Sequence, residues 1–312
     1  MSTLFIGMPV FNGEKFIKEA LDSIINQKFK NWTLLISDNS SEDNTQNICE
    51  FYKNHDKRIQ YFRQEKNIGA VGNFKFVLNK AHLKYFMWAA SDDVWDSDFL
   101  DATVNILENN IDIGFAFSNI VNIDTYGRVI RTYPDFQKFS MNNHCESVIN
   151  YVLDPEYLGK ANIIYSVYRT DLIKAIADKF FISDNWGADM TFILAVLSRA
   201  KLFIDERVLF RKRYTRPADN LEKIDLIEVN IKDYKHIYPL KQFEEYITDH
   251  LNATKNTLYY SIVNKIMEFR FELVAERVNN DFLTKNIRGV FQQLLLLAKL
   301  VTKRYINYIF RW

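Results

Sequence analysis

The chain has 312 residues and is 48% hydrophobic, 15% aromatic and 25% charged, which suits one large folded domain with an extension and argues against general disorder. Its formal net charge of +1 lacks the basic excess that nucleic-acid binders use to neutralise phosphates, so no nucleic-acid partner is expected. Cys49 and Cys145 stand apart, without metal-ligand spacing or a disulfide framework, and no apolar run reaches bilayer length, which together point to the cytoplasm.

In chain order, Leu4 to Val10 is a short apolar run closed by Pro9 and Asn12-Gly13, the pattern of a buried strand ending in a turn. Ile17, Ala20, Leu21, Ile24 and Ile25 then recur at three- and four-residue spacing and predict an amphipathic helix. Thr33 to Ile36 reads as a second strand, running into SDNSSEDNT, where Asp43 suits a cap for a helix from about Asn44 to Asn54. Ile59 to Phe62 and Tyr85 to Ala90 read as the third and fourth strands, with a helical segment from Asn73 to His82 between them. Past Asp98 come a helix, a strand at Ile113 to Ser118, and an irregular stretch from Asn119 to about Gly159.

Strands alternating with helices at this spacing predict an α/β fold with a mostly parallel sheet covered on both faces. In such sheets ligands bind beyond the carboxyl ends of the strands. The polar clusters fall there: Asn12 after the first strand, Asp38 after the second, Asn67 and Gly69 after the third, Asp92 and Asp93 after the fourth. Adjacent carboxylates at a strand end offer hard oxygen ligands suited to Mn²⁺ or Mg²⁺, the ions that nucleotide diphosphates usually carry. A pair of solvated acids capping the next helix is the plainer alternative for Asp92 and Asp93.

Four segments in order, PVFNGEKFIKEALDSIINQ, ISDNSSEDNT, NIGAVGNF and WAASDDVWDSDFL, resemble the N-terminal half of the family 2 glycosyltransferases with the GT-A fold. The resemblance covers residues 3 to 115 well and extends more loosely to about 215. It implies inverting transfer of a sugar from a nucleotide-diphospho-sugar, with Mn²⁺ or Mg²⁺ on the diphosphate. Pro9, Phe11, Asn12 and Glu14 match the loop lining the nucleoside pocket, Asp38 the acid that hydrogen-bonds the base, Asp92 the acid near ribose and diphosphate, and Asp93 the metal ligand. Asn67 and Gly69 join the donor site as part of NIGAVGNF.

The family often supplies its catalytic base from a Glu-Asp pair about a hundred residues later. The matching segment here, NWGADMTFILAVLSRAKLFID, carries Ala188 in place of the first acid and leaves Asp189 as the expected base. NIIYSVYRTDL, with Arg169 closing its strand, resembles the strand and helix that precede this base. LFRKRYTRPADN lacks the histidine that many relatives place on the metal or diphosphate, and Arg211, Arg213 or Arg216 could meet the pyrophosphate instead.

The expected organisation is therefore a GT-A domain over 1–220, with its nucleotide-sugar half at about 1–115 and its acceptor half at about 116–220, followed by a helical extension over 221–312. After Asp281 no acidic residue occurs, while Lys299, Lys303, Arg304 and Arg311 flank a stripe of Leu294, Leu297, Val301, Tyr305, Tyr308 and Trp312. This is an interfacial-helix pattern over 290–312, consistent with peripheral contact at the cytosolic membrane face and a glycan or lipid-linked acceptor in surface polysaccharide synthesis. Packing of that stripe on the catalytic domain is the alternative. The missing acid and histidine also fit a non-catalytic nucleotide-sugar-binding protein of the same fold, whereas the lack of a glycine-rich turn after the first strand argues against a dehydrogenase.

Overall fold

The computed structural model describes residues 2–133, 136–142, 147–148, 150–151, 159–180 and 188–214. The expected helical extension at 221–312, the 290–312 membrane segment, Cys145 and Arg216 lie outside the described residues.

Four parallel strands form one half of the sheet: β1 (Leu4–Val10), β2 (Trp32–Asp38), β3 (Ile59–Arg63) and β4 (Tyr85–Trp88). Their spatial order is β3-β2-β1-β4, in register from Leu4 opposite both Trp32 and Tyr85. Every residue of β1 and β4 is buried, as expected for parallel strands covered on both faces. Pro9 lies beyond the last β1–β4 pair, Gly7 opposite Trp88, where a missing N–H costs that ladder nothing.

The connecting helices are α1 (Ile17–Ile25), α2 (Thr45–His55) and α3 (Gly69–Lys80). In α1 the predicted stripe faces inward, with Ile17, Ala20, Leu21 and Ile24 buried. The third helix begins at Gly69, four residues before the periodicity alone suggested, because its first turn, Gly-Ala-Val-Gly, carries two glycines that read as turn residues. It sits close on β1: a Cβ at Gly7 would lie 2.7 Å from the Val77 side chain.

Beyond β4 the sheet turns mixed. The order continues β4-β8-β6-β9-β5, with β7 pairing the far end of β6. These strands are β5 (Val94–Trp95), β6 (Ile113–Ile123), β7 (Val129–Thr132), β8 (Val167–Arg169) and β9 (Lys201–Arg213). β8 runs antiparallel to both β4 and β6, while β6 and β9 are parallel. The expectation of a mostly parallel sheet holds for the N-terminal half; the second half is mixed because β8 is inserted antiparallel between β4 and β6. The irregular stretch predicted from Asn119 in fact continues β6 to Ile123 and turns back as β7.

Helix α4 (Phe99–Asn109) covers β6, and α5 (Thr170–Phe180) follows β8. Arg169 closes β8 by donating to the carbonyls of Ile113, Leu107 and Asn110. Helix α6 (Ala188–Leu197) docks through Phe192, which lies edge-on to Trp88 of β4 at 5.3 Å and to Tyr168 of β8 at 6.1 Å. That contact brings the first turn of α6 toward the end of β4. Among the described residues no helix is long and apolar enough to cross a membrane.

Candidate active site

The loops after β1, β2 and β3 are tied together before any ligand is considered. The N–H of Asn12 donates to Ser41 Oγ at 2.9 Å and that of Gly13 to Thr45 Oγ1 at 2.8 Å. Asn12 returns the contact, its Oδ1 accepting from Glu42 N–H at 2.9 Å, and it holds φ at 51°, a left-handed conformation that asparagine tolerates. Glu14 is likewise a brace: its N–H donates to Asp43 and its carboxylate accepts from Asn44 N–H at 2.9 Å. Asp43 also accepts from Thr45 N–H, but the helix α2 begins one residue later than expected, with Asn44 and not Asp43 at its N-cap position. Burial opposes the Asp43 charge, but hydrogen bonds from Thr45 and Glu14 outweigh that and hold its carboxyl below the usual range.

Asn67 and Gly69 complete this rim. Asn67 Oδ1 accepts from Asn39 Nδ2 and from Gly69 N–H, both at 2.9 Å, and Asn39 Oδ1 accepts from Ile68 N–H at 2.8 Å. Gly69 has φ near 78°, where a side chain would be strained. Phe11 stands just past the end of β1 with 48% of its surface exposed. Pro9 is buried beneath it in the strand.

Asp38 is fully buried at the end of β2. Its Oδ1 accepts from Ser41 N–H at 2.8 Å, and its Oδ2 from Tyr61 Oη at 2.6 Å and Arg63 Nη1 at 2.9 Å. Tyr61 and Arg63, both on β3, were not singled out in the sequence; their alternation with Gln60 and Phe62 on a short strand carries no chemical signature. Burial, then the Asp38 hydrogen bond, push the Tyr61 phenol up.

The acidic loop after β4 divides its two carboxylates. Asp92 is partly exposed. Asp93 is fully buried, with Oδ2 accepting from Lys212 Nζ at 3.0 Å and Oδ1 from Arg213 N–H at 2.8 Å. Burial pushes the Asp93 carboxyl up to about 6 while the Lys212 charge pulls it down. Burial also works against the Lys212 ammonium, but Asp93 overrides it and holds that group protonated well above its ordinary range. The divalent ion expected on Asp93 does not fit this arrangement, since both oxygens are taken by donors, one of them a cation. Among the described residues no three His, Cys, Asp or Glu side chains gather as a metal site.

Arg213, considered above as a pyrophosphate ligand, is instead buried inside the protein. Its Nε donates to the Asp92 carbonyl at 2.8 Å, its Nη1 to the Asp124 carbonyl at 2.9 Å and its Nη2 to Glu19, while its guanidinium lies 4.6 Å from the centre of the Phe16 ring. Arg213 therefore fixes the backbone of the acidic loop. Arg211 is exposed on β9.

Asp189 occupies the first turn of α6, where the helix dipole favours a carboxylate. Burial raises the nearby Tyr165 phenol, and the charges of Asp93, Asp92 and Asp189 raise it further while Lys212 lowers it. The Lys212 ammonium lies 5.4 Å from the centre of the Tyr165 ring. Neither Tyr165 nor Lys212 was singled out in the sequence, because each acts through a partner more than forty positions distant in an element of ordinary composition.

The family model for glycosyl transferase family 2 matches residues 5–162. An uncharacterized glycosyltransferase of Methanocaldococcus jannaschii is 28% identical over 172 residues, 54% of this chain and 59% of that protein. A beta-1,3-glucosyltransferase of Escherichia coli, WfgD, named for UDP-Glc and an alpha-D-GlcNAc-diphosphoundecaprenol, is 32% identical over 117 residues, 37% of this chain and 45% of that protein. The chain thus matches less than two thirds of the length of either relative. Among solved structures, TarS 1-349 of S. aureus in complex with UDP-GlcNAc superposes with a TM-score of 0.58 at 18% identity, over 90% of this chain and 83% of that one, which is a likeness of fold. With its mixed GT-A sheet and a family model spanning residues 5–162, the chain belongs to glycosyl transferase family 2.

Proposed function

We propose that this protein transfers a sugar from a nucleotide-diphospho-sugar to a glycan or lipid-linked acceptor, with inversion at the anomeric carbon. The observation that carries the reading is the acidic loop at the end of β4, where Lys212 and the Arg213 N–H hold Asp93, together with the hydrogen-bonded rim built by Asn12, Asn39 and Asn67 at the ends of the neighbouring strands. Phe11 is the exposed face of the nucleoside side, with Pro9 and Asp38 buried beneath it and Asn12, Glu14, Asn67 and Gly69 holding the loops. Asp92 faces the ribose and diphosphate.

In the reaction the acceptor hydroxyl oxygen attacks the anomeric carbon from the face opposite the diphosphate. The bond from that carbon to the diphosphate oxygen breaks, its electron pair leaves with the nucleoside diphosphate, and the hydroxyl proton passes to the Asp189 carboxylate. The Mn²⁺ or Mg²⁺ implied by the family has no place in this step, because Lys212 and Arg213 hold both oxygens of Asp93.

Relatives support the acceptor class by name: WfgD is described as acting on a diphosphoundecaprenol-linked sugar. A lipid-linked acceptor also suits the basic, aromatic stripe at 290–312 as a peripheral membrane contact on the cytosolic side.

The test has two stages. A thermal-shift panel of nucleotide-diphospho-sugars should single out one donor, since a ligand of the folded state raises its apparent stability. Labelled sugar from that donor should then move onto a polyprenyl-diphosphate-linked sugar in anionic vesicles, and the protein should co-sediment with them. Donor binding without transfer or hydrolysis would favour the non-catalytic alternative, and no shift with any donor would sink the reading.

A further inference from the structure

We propose that Lys212 is the resident cation of the acidic loop: its ammonium takes the place on Asp93 that a divalent ion would occupy and faces the donor's diphosphate, so donor binding requires no added metal. The inference rests on the donor reading above.

Three features support it. The ammonium lies 3.0 Å from Asp93 Oδ2, while Arg213 N–H occupies the other oxygen, so each carboxylate oxygen already has a donor from within the protein. A Mg²⁺ or Mn²⁺ ion needs several oxygens at about 2.0–2.2 Å, and placing one on Asp93 would set it against a neighbouring positive charge in a poorly solvated site. The lysine is also held where it stands. Lys212 lies opposite Asn122 in the β6–β9 ladder, and the residue before it, Arg211, lies opposite Val94 of β5, one position after Asp93.

The second half of the argument concerns what else the ammonium can reach. Its side chain keeps 26% of its surface accessible while Asp93 keeps none, so the lysine, unlike its acid, borders solvent. The Lys212 charge also interacts with Asp92, the acid on the diphosphate side. An ammonium with three donors, one spent on Asp93, retains donors for phosphate oxygens, and lysine binds phosphate well as a point charge.

Calorimetric titration of UDP, GDP, CDP, ADP and dTDP into the full chain, in EDTA and in Mn²⁺, tests this. For the one diphosphate that binds, the affinity should be the same in both buffers. Lys212→Gln should weaken metal-free binding by about tenfold or more, the scale of a lost charge-assisted contact. Because that variant strands a buried acid, Asp93→Asn/Lys212→Gln serves as the second form; it leaves no unpaired charge and should show the same loss. Binding only in Mn²⁺, or variants that bind as tightly as the parent in EDTA, overturns the proposal and leaves the donor reading intact. Failure of every diphosphate in both buffers overturns the donor reading, and this inference with it.

Discussion

Asp189→Asn is expected to bind donor with near-parental affinity and to transfer sugar roughly a hundredfold or more slowly, the range lost when a positioned general base is removed. The amide keeps the size of the carboxylate and much of its hydrogen bonding, but it cannot take a proton at neutral pH. The position supports this choice: Asp189 sits in the first turn of α6, and that helix is fixed to β4 and β8 through Phe192, so the carboxylate is carried by a rigid element. Ala188 stands where many relatives carry the first acid of the pair. Single-turnover transfer measured beside donor affinity separates chemistry from binding. A variant that transfers at the parental rate would move the base elsewhere, while one that loses donor affinity in step with rate would recast Asp189 as a binding residue.

Arg213→Met should cost about 3–5 kcal/mol of stability, because two buried carbonyls lose charged donors and a buried cationic head is removed from its partners. For a domain of this size that is a fall in melting temperature of about 10 °C. Methionine restores much of the volume, so the loss reports the hydrogen bonds to Asp92, Asp124 and Glu19 and not a cavity. Arg213→Lys should recover little, since a single ammonium cannot reach three acceptors in different directions. Nucleotide affinity should fall alongside stability, as the Asp92 backbone is released. Differential scanning calorimetry decides the first point; an unchanged melting temperature would show that the clamp carries no weight.

The parallel half of the fold was legible because its signals are local. Apolar runs, polar strand ends and the α1 stripe place β1 to β4 and the loops that bear Asn12, Asp38, Asn67 and Asp92 without any long-range information. The antiparallel insertion of β8 was not legible, since a three-residue strand states neither its neighbours nor its direction. The same limit applied at the site. Asp93 read as the more chemical of two acids, yet its environment is made by Lys212 and Arg213 in β9, and no spacing rule connects positions so far apart. Arg213 illustrates the converse: a guanidinium in a basic segment reads as a phosphate ligand until its three partners are known to be protein groups.

The clamp on the acidic loop also has a temporal meaning. Its contacts span 119 residues from Asp93 to Lys212 and 194 from Glu19 to Arg213, and contacts of such separation form late, because the intervening chain must first be ordered. During synthesis from the N-terminus, the rim proposed to hold the nucleoside is complete long before the residues that steady the acidic loop leave the ribosome. Donor recognition should therefore be the final event of maturation, and in refolding followed by stopped flow, nucleotide binding should track the slowest phase of native-structure formation.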